Sequence, residues 1–238
     1  MAPTVHEVSF PRAEKLDGYL TLPEGGSENK HPGVVVVHEV FGLNENIKGV
    51  ADRLAGEGYA ALAVDLFSDR KRANCVARFL NGMLTNSLDH GAIRDLKTSL
   101  SYLAGLPEVD DERLGAIGFS LGGSFVTAWA CTDDRLGAVA SYYGVNPRPL
   151  EAVRHSCPVV GSYPEKDFTG VQAQKLEQEL KNGGVAHDIK VYPEARHSFF
   201  NEYRSKVHDP AASEDSWRRT LEFFGRHIGR SVSDEKAS

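Results

Sequence analysis

The stretch Gly118-Phe119-Ser120-Leu121-Gly122 holds residue types that could perform covalent chemistry, because it fits the pattern G-x-S-x-G. In this pattern a strand turns sharply into a helix and leaves a strained serine exposed at the turn. Glycines are needed because side chains there would clash with the neighbouring strand or helix. A serine hydroxyl is a poor nucleophile until a base takes its proton. The pattern therefore predicts a nucleophile at Ser120, and it requires an acid and a histidine later in the chain.

Two residues that directly follow predicted strands could complete such a site. His197 is the predicted base, and Asp167 is predicted to orient the imidazole and to stabilise its charged form. Glu165 lies beside Asp167 in the same loop and stays open as an alternative acid, whereas Asp65 ends a strand far upstream. His38 also follows a strand, but it precedes the serine and so breaks the expected chain order.

Acyl transfer at Ser120 also requires hydrogen-bond donors for the developing oxyanion. The backbone N–H of Leu121 is one predicted donor, because it follows the nucleophile at the start of a helix, where the helix dipole helps. The second donor is expected from the loop after an earlier strand, and the N–H of Val40 is the predicted group. Gly42 allows that loop to turn sharply.

Hydrophobic periodicity and turn residues predict alternating strands and helices along the chain. The predicted strands are 5–10, 18–22, 34–37, 59–64, 114–118, 136–143, 158–162 and 189–192, and the predicted helices are 46–58, 93–103, 120–130, 171–182 and 213–228. This pattern predicts an α/β protein with one doubly wound, mostly parallel sheet and helices on both faces. The serine, acid, histidine order favours the α/β-hydrolase fold within that class.

No linker, repeat or low-complexity segment interrupts this alternation, so we expect one domain over residues 1–228 and a polar tail over 229–238. Segment 69–86 is polar and mixed, with helical character around 76–84. Whether this segment covers the site as a lid is left open.

The composition excludes several classes of function. The net charge is -6 and the pI is about 5.9, with charges interspersed, so neither nucleic acid nor a membrane surface is an expected partner. The longest apolar runs are too short to span a bilayer, and no secretory signal is visible at the N-terminus. Cys75, Cys131 and Cys157 are widely spaced, which argues against a disulfide framework or a zinc site. We therefore expect a cytoplasmic protein with no metal.

Four segments make the chain resemble the dienelactone hydrolase family of α/β-hydrolases. They read HEVFGLN (38–44), GFSLGG (118–123), YYGV (142–145) and ARHSF (195–199), and the resemblance extends from about Leu16 to Ile228. It implies a single α/β-hydrolase domain that hydrolyses lactones and other carboxylic esters without a metal or cofactor. The triad carries over as Ser120, Asp167 and His197, and the oxyanion hole as Val40 and Leu121.

The chain departs from the best-known dienelactone hydrolases at the nucleophile. Those enzymes use cysteine where this chain has Ser120, and a serine depends on its base throughout, whereas a thiolate of lowered pKa attacks readily. Their glutamate, which engages the resting thiol and takes part in activation, is present as Glu39. Beside a serine, three roles are open for Glu39: a hydrogen bond to resting Ser120, shaping of the oxyanion loop, or satisfying nearby backbone donors.

A second departure concerns the substrate. The cysteine enzymes hold a substrate carboxylate with arginines, one of them four residues beyond the catalytic histidine, where this chain has Asn201. An uncharged amide cannot grip a carboxylate in bidentate fashion, so neutral short-chain esters are predicted ahead of dienelactone. The arginines left to compensate are Arg70, Arg72, Arg78 and Arg204.

Aromatic residues near predicted strand ends are candidates for the substrate pocket beside Asn201, with a place in the core as the alternative. They are Phe41, Phe119, Tyr143 and Phe199. The sequence thus predicts a serine carboxylic-ester hydrolase that acts on small neutral esters or lactones through an acyl-enzyme, as a monomer or homodimer. The alternatives are a carboxymethylenebutenolidase of aromatic degradation and a non-catalytic binding module on the same fold. A peptidase is less favoured, because nothing suggests a substrate-gating domain.

Overall fold

The structure is a computed structural model that describes residues 3–10, 16–24, 30–68 and 87–229. Its strands are β1 (Thr4–Phe10), β2 (Leu16–Leu22), β3 (His31–Val37), β4 (Ala60–Asp65), β5 (Val109–Phe119), β6 (Leu136–Tyr142), β7 (Val159–Pro164) and β8 (His187–Tyr192). The helices in this part of the chain are α1 (Glu45–Gly56), α2 (Gly91–Ala104), α3 (Leu121–Trp129), α4 (Gly170–Gly183) and α5 (Pro210–His227).

These strands form one eight-stranded sheet in the order β1-β2-β4-β3-β5-β6-β7-β8. The pairs β1–β2 and β2–β4 are antiparallel, and all later neighbours are parallel. The predicted α/β class and the mostly parallel sheet are therefore confirmed. The prediction of a single domain over 1–228 is supported by the continuity of the sheet and stays a prediction.

Helices cover both faces of the sheet, as predicted, and the residues of β3 are buried on both sides as a result. Side chains alternate along a strand, so Val35 joins the core cluster that contains residues of α2, α3 and α4, while Val36 joins the cluster that contains residues of α1 and α5. Both valines are completely buried. The continuous apolar run of this strand thus reflects a central position with both faces covered.

Several element boundaries differ from the predicted ones for local reasons. Helix α5 begins at Pro210 rather than at 213, because the Asp209 carboxylate accepts a hydrogen bond from the Ala212 N–H (3.0 Å) and proline occupies the first turn. Strand β6 ends before Tyr143, which adopts a φ of 41°. A short 3₁₀ helix, Leu150–His155, was not predicted.

Some predictions concern residues that the structure does not describe. The helical character at 76–84, the lid hypothesis for 69–86 and the tail after 229 lie outside the described residues. Within the described ranges, every helix is too short or too polar to cross a bilayer.

The first turn of α3 is packed so tightly against β3 and β6 that it has no room for side chains at its glycines. A Cβ on Gly122 would overlap the carbonyl oxygen of Val37, and a Cβ on Gly123 would lie 2.6 Å from the carbonyl oxygen of Tyr142. These contacts are backbone to backbone, so no rotamer change relieves them. The tight turn therefore requires glycine at both positions.

We predict that Gly122→Ala lowers the free energy of unfolding by at least about 2 kcal/mol, because the new methyl group must displace the backbone of β3. Gly49→Ala is the matched control, since Gly49 lies in the interior of α1 with nothing within 4 Å of its added Cβ. That control should raise stability by about 0.5–1 kcal/mol through helix propensity. Urea unfolding of both variants measures the difference, and equal stabilities would contradict the packing argument.

Candidate active site

Ser120 lies at the tight turn between β5 and α3, with a backbone conformation that residues other than glycine rarely adopt. Its φ is 52° and its ψ is −111°, and it directly precedes α3. The Ser120 N–H donates to the carbonyl oxygen of Tyr142 (2.9 Å), and the Ser120 carbonyl accepts from the N–H of Ser124 (3.0 Å). Strain of this kind costs about 1–3 kcal/mol and persists only where the surroundings enforce it. The turn thereby holds the Ser120 side chain at the carboxyl edge of the sheet.

Ser120, His197 and Asp167 form one hydrogen-bonded chain. The His197 Nδ1 lies 2.5 Å from Asp167 Oδ2, and because an ionised carboxylate only accepts, Nδ1 carries the proton. The His197 Nε2 is then the acceptor for the Ser120 hydroxyl at 2.7 Å. The Asp167 carboxylate also accepts from the Phe168 N–H and from the Thr169 hydroxyl, each at 2.7 Å. The imidazole is thus oriented for taking a proton from Ser120.

The alternative acids and the alternative histidine lie elsewhere. Glu165 is exposed and accepts from the N–H of Glu194 (3.3 Å) rather than from His197. Asp65 accepts from the N–H of Phe67 (2.9 Å), and hydrogen bonds hold its pKa below the ordinary value although burial alone would raise it. His38 accepts from the Leu66 N–H (3.1 Å) and donates to the carbonyl oxygen of Glu39 (2.6 Å). Geometry therefore favours Asp167 and His197.

The two predicted oxyanion donors lie on loops that meet at the carboxyl ends of β3 and β5. Leu121 is the first residue of α3, and Val40 stands in a turn that the Gly42 N–H closes onto the carbonyl oxygen of Glu39 (3.2 Å). Gly42 adopts a φ of 81°, which a side chain would disfavour. Among the described residues, no acceptor takes a hydrogen bond from the N–H of Val40 or of Leu121. The N–H groups of Val40 and Leu121 therefore stay the predicted oxyanion donors.

Glu39 connects the oxyanion loop to the histidine loop through a buried carboxylate. Its Oε1 accepts from the Ser198 hydroxyl (2.7 Å), and its Oε2 accepts from the Asn201 side-chain amide (2.9 Å). Burial raises the pKa of Tyr143 well above its ordinary value, and the neighbouring Glu39 carboxylate, which its hydroxyl contacts, raises it further. In the described part of the chain, Ser120 is not a hydrogen-bond partner of Glu39.

With this geometry in place, comparison with known proteins identifies the family. The sequence model of the Dienelactone hydrolase family matches residues 16–228. This chain belongs to the dienelactone hydrolase family. A relative from Yersinia pestis, provisionally named a carboxymethylenebutenolidase, is 30% identical over 93% of this chain and 88% of its own length. A relative of the same provisional name from Escherichia coli strain K12 is 32% identical over 92% of this chain and 85% of its own length.

Solved structures of family members superpose closely on this chain. A dienelactone hydrolase, so named provisionally, from Klebsiella pneumoniae has a TM-score of 0.83 at 28% identity, covering 95% of this chain and 100% of its own. The dienelactone hydrolase-like promiscuous phosphotriesterase P91 from metagenomic libraries has a TM-score of 0.84 at 26% identity, covering 96% and 100%. The acylaminoacyl peptidase of Pyrococcus horikoshii shares the fold, with a TM-score of 0.78 at 17% identity. The match covers 97% of this chain and 43% of the peptidase chain. The predicted α/β-hydrolase fold is confirmed.

Three of the aromatic residues predicted for the substrate pocket are buried, which agrees with the alternative of a place in the core. Phe119 and Phe199 have no exposed surface, and Tyr143 is 1% exposed. Their rings pack against each other and against Tyr142 in the core beneath the site. Tyr143 also contacts the His197 ring, with centroids 5.0 Å apart, and so supports the base from below.

Phe41 and Asn201 line an apolar cavity of about 450 Å³ beside the oxyanion loop. The Phe41 ring is 41% exposed, and the Arg204 guanidinium lies 5.2 Å from its centroid. Arg204 also donates to the Ser198 hydroxyl (3.2 Å), so its charge is already partly engaged. Asn201 is buried, and its amide is committed to Glu39 rather than turned to a ligand. The remaining lining residues are Asn44, Glu45, Asn46 and Tyr203.

Sequence reasoning missed three residues that touch the triad or its support. Ser198 adopts a φ of 65° and donates to Glu39, and Thr169 donates to Asp167. Phe168 is 67% exposed, and its ring lies nearly parallel to the His197 ring. Ser198 and Phe168 directly follow His197 and Asp167 in the chain, and Thr169 lies two residues after Asp167, but no sequence pattern indicated these contacts. In the described ranges no three His, Cys, Asp or Glu side chains cluster as metal ligands would, and the absence of a cofactor stays a prediction.

We predict that Asn201→Asp destabilises the protein increasingly as the pH rises. The new carboxyl would face the Glu39 carboxylate across 2.9 Å inside the protein, so the folded state must keep a shared proton that the unfolded chain releases above about pH 4. A folded state that binds the extra proton loses stability as pH rises. Compared with wild type, the loss in unfolding free energy should grow by roughly 2 kcal/mol between pH 5 and pH 8.

Urea unfolding at the two pH values tests this expectation. Asn44→Asp is the matched control, because Asn44 caps α1 by accepting from the Ile47 N–H (3.2 Å), a role that aspartate fills equally well. A pH-independent effect of Asn201→Asp would show that the two side chains separate, and that the buried contact with Glu39 is dispensable.

Proposed function

We propose that this protein is a serine hydrolase of small carboxylic esters or lactones that works through an acyl-enzyme. The hydrogen-bonded chain from Ser120 to His197 (2.7 Å) and on to Asp167 (2.5 Å) carries the proposal. It puts a nucleophile, a base of defined tautomer and an orienting carboxylate in one line. Membership of the dienelactone hydrolase family supports the ester or lactone as substrate.

In the proposed mechanism, His197 Nε2 takes the proton of the Ser120 hydroxyl as Oγ attacks the ester carbonyl carbon. The N–H groups of Val40 and Leu121 donate to the oxyanion of the tetrahedral intermediate. The intermediate collapses as the C–O bond to the alcohol breaks, and His197 gives its proton to the leaving oxygen. Water, deprotonated by His197, then attacks the acyl carbon, the bond from that carbon to Ser120 Oγ breaks as His197 returns the proton to Oγ, and the carboxylic acid is released. Asp167 holds the imidazole and stabilises its charged form throughout.

Neutral esters are the proposed substrates. Where the cysteine enzymes of the family carry an arginine, this chain has Asn201. The side-chain amide of Asn201 donates to Glu39. Carboxymethylenebutenolidase activity is the second candidate, because relatives carry that provisional name and because the Arg204 cation lines the cavity beside Phe41. Competition by small carboxylates separates the two: inhibition of ester turnover at millimolar concentration favours the second candidate.

We also propose that the protein works in the cytoplasm, as a monomer or a homodimer. Cys131 and Cys157 are free thiols, and burial raises the pKa of both to about 12, which is consistent with a reducing cytoplasm. Monomer and homodimer both agree with a site built from one chain.

Fluorophosphonate labelling followed by intact-mass measurement tests the nucleophile. We expect one adduct per wild-type chain and none on folded Ser120→Ala, because only an activated serine reacts. Ester hydrolysis by Ser120→Ala and by His197→Ala should fall by roughly 10⁴-fold or more. Turnover retained by either folded variant would refute the mechanism, and binding of esters by unlabelled wild type without turnover would favour the binding-module alternative.

We further propose that Glu39 positions the histidine and oxyanion loops without exchanging a proton with Ser120. Glu39→Gln preserves the side-chain shape but removes one of the two acceptor oxygens that hold the loops. We therefore expect kcat to fall roughly 10- to 100-fold, while KM and the pH of half-maximal activity stay near wild type. Glu202→Gln, an exposed carboxylate in the segment after His197, is the control and should match wild type. A pH–rate profile that shifts in Glu39→Gln would assign Glu39 to proton transfer instead.

A further inference from the structure

Phe168 is the most conspicuous apolar group beside the triad. Its side chain is 67% exposed, whereas Phe119 and Phe199 are completely buried. Its ring plane is inclined by only 14° to the His197 imidazole, and the two centroids lie 6.0 Å apart. A single exposed aromatic residue is ordinary on a protein surface, but this one stands against the catalytic base.

The backbone of Phe168 is anchored by the same carboxylate that orients His197. The Phe168 N–H donates to Asp167 Oδ1 (2.7 Å), and the completely buried Thr169 donates to Asp167 Oδ2 (2.7 Å). The Gly170 N–H closes the turn onto the Asp167 carbonyl oxygen (3.1 Å) just where α4 begins. The ring is therefore presented from a structured turn, at a position set relative to His197.

The chemistry of acylation decides which part of the substrate meets this ring. The leaving alcohol oxygen receives its proton from His197 Nε2, so it must come within hydrogen-bond distance of that nitrogen, about 3 Å. Its carbon substituent then extends from the neighbourhood of the imidazole, whose ring centroid is 6.0 Å from that of Phe168. The acyl group, in contrast, stays attached to Ser120 and near the oxyanion donors. Lys166, two residues before Phe168 in the chain, is paired with Glu194 in an ion pair.

From this arrangement we propose that Phe168 determines specificity for the alcohol part of the ester and favours apolar, especially aromatic, alcohol groups; the inference rests on the proposed ester hydrolysis. Aromatic rings gain from offset or edge contacts with each other beyond simple burial. In a lactone, the alkoxide arm of the ring would occupy the same place. Phe168 acts by contact with the substrate and takes no part in proton transfer.

The experiment compares kcat/KM for benzyl acetate and ethyl acetate in wild type and in Phe168→Ala. Both esters form the same acetyl-enzyme and use the same base, so any disturbance of His197 cancels in the ratio. We expect the benzyl-to-ethyl ratio to fall about tenfold in Phe168→Ala, the size typical of one lost hydrophobic contact. Phe168→Leu, which keeps an apolar side chain, should recover part of the ratio.

Two controls separate the possible outcomes. Val171→Ala removes another exposed apolar side chain, 59% exposed, from the first turn of α4 and should keep the wild-type ratio. An acyl series at constant alcohol, ethyl acetate against ethyl butyrate, should give the same preference in wild type and Phe168→Ala. An unchanged benzyl-to-ethyl ratio, or an equal change in Val171→Ala, would overturn the assignment of Phe168. Absence of turnover of every ester by wild type would instead refute the proposed function.

Discussion

Backbone-to-backbone contact at the turn after β5 is the constraint on which the site depends. Gly122 lies against the carbonyl of Val37, Gly123 lies against that of Tyr142, and a Cβ on Gly144 would come within 2.5 Å of Gly123. Three neighbouring strands thus close on one turn. Because only glycine fits at these positions, the chain passes closely between its neighbours after β5. Along this path Ser120 adopts a φ of 52°. The strain at Ser120 is a consequence of packing, and the same packing exposes its hydroxyl to His197.

A second constraint is polar and lies beneath the site. The Glu39 carboxylate is 1% exposed, and a buried charge is tolerated only where hydrogen bonds replace those of water. Ser198 and Asn201 supply such hydrogen bonds, and both belong to the loop that carries His197. The carboxylate therefore joins the oxyanion loop to the histidine loop. An amide at position 201 suits this role, since it donates to Glu39 without adding a charge.

The substrate side of the site is less enclosed than its catalytic side. Phe168 is presented beside His197, and Phe41 lies at the apolar cavity beside the oxyanion loop. The other aromatic rings near the triad form the floor on which it rests. This arrangement agrees with the proposed recognition of small esters by apolar contact more than by charge.

The sequence by itself determined the class of fold and the order of the elements, and it predicted Ser120 as the nucleophile, because hydrophobic periodicity and the glycine spacing are local signals. It also placed Asp167 and His197 after strands, and it favoured Asp167 as the acid while leaving Glu165 open as an alternative. That choice depends on a 2.5 Å approach between loops 30 residues apart. Only the tertiary structure turned Glu39 toward Ser198, buried Phe119, Tyr143 and Phe199, and exposed Phe168. Each of these outcomes is set by which loops meet at the sheet edge, and contacts between distant segments leave no periodic trace in a single sequence.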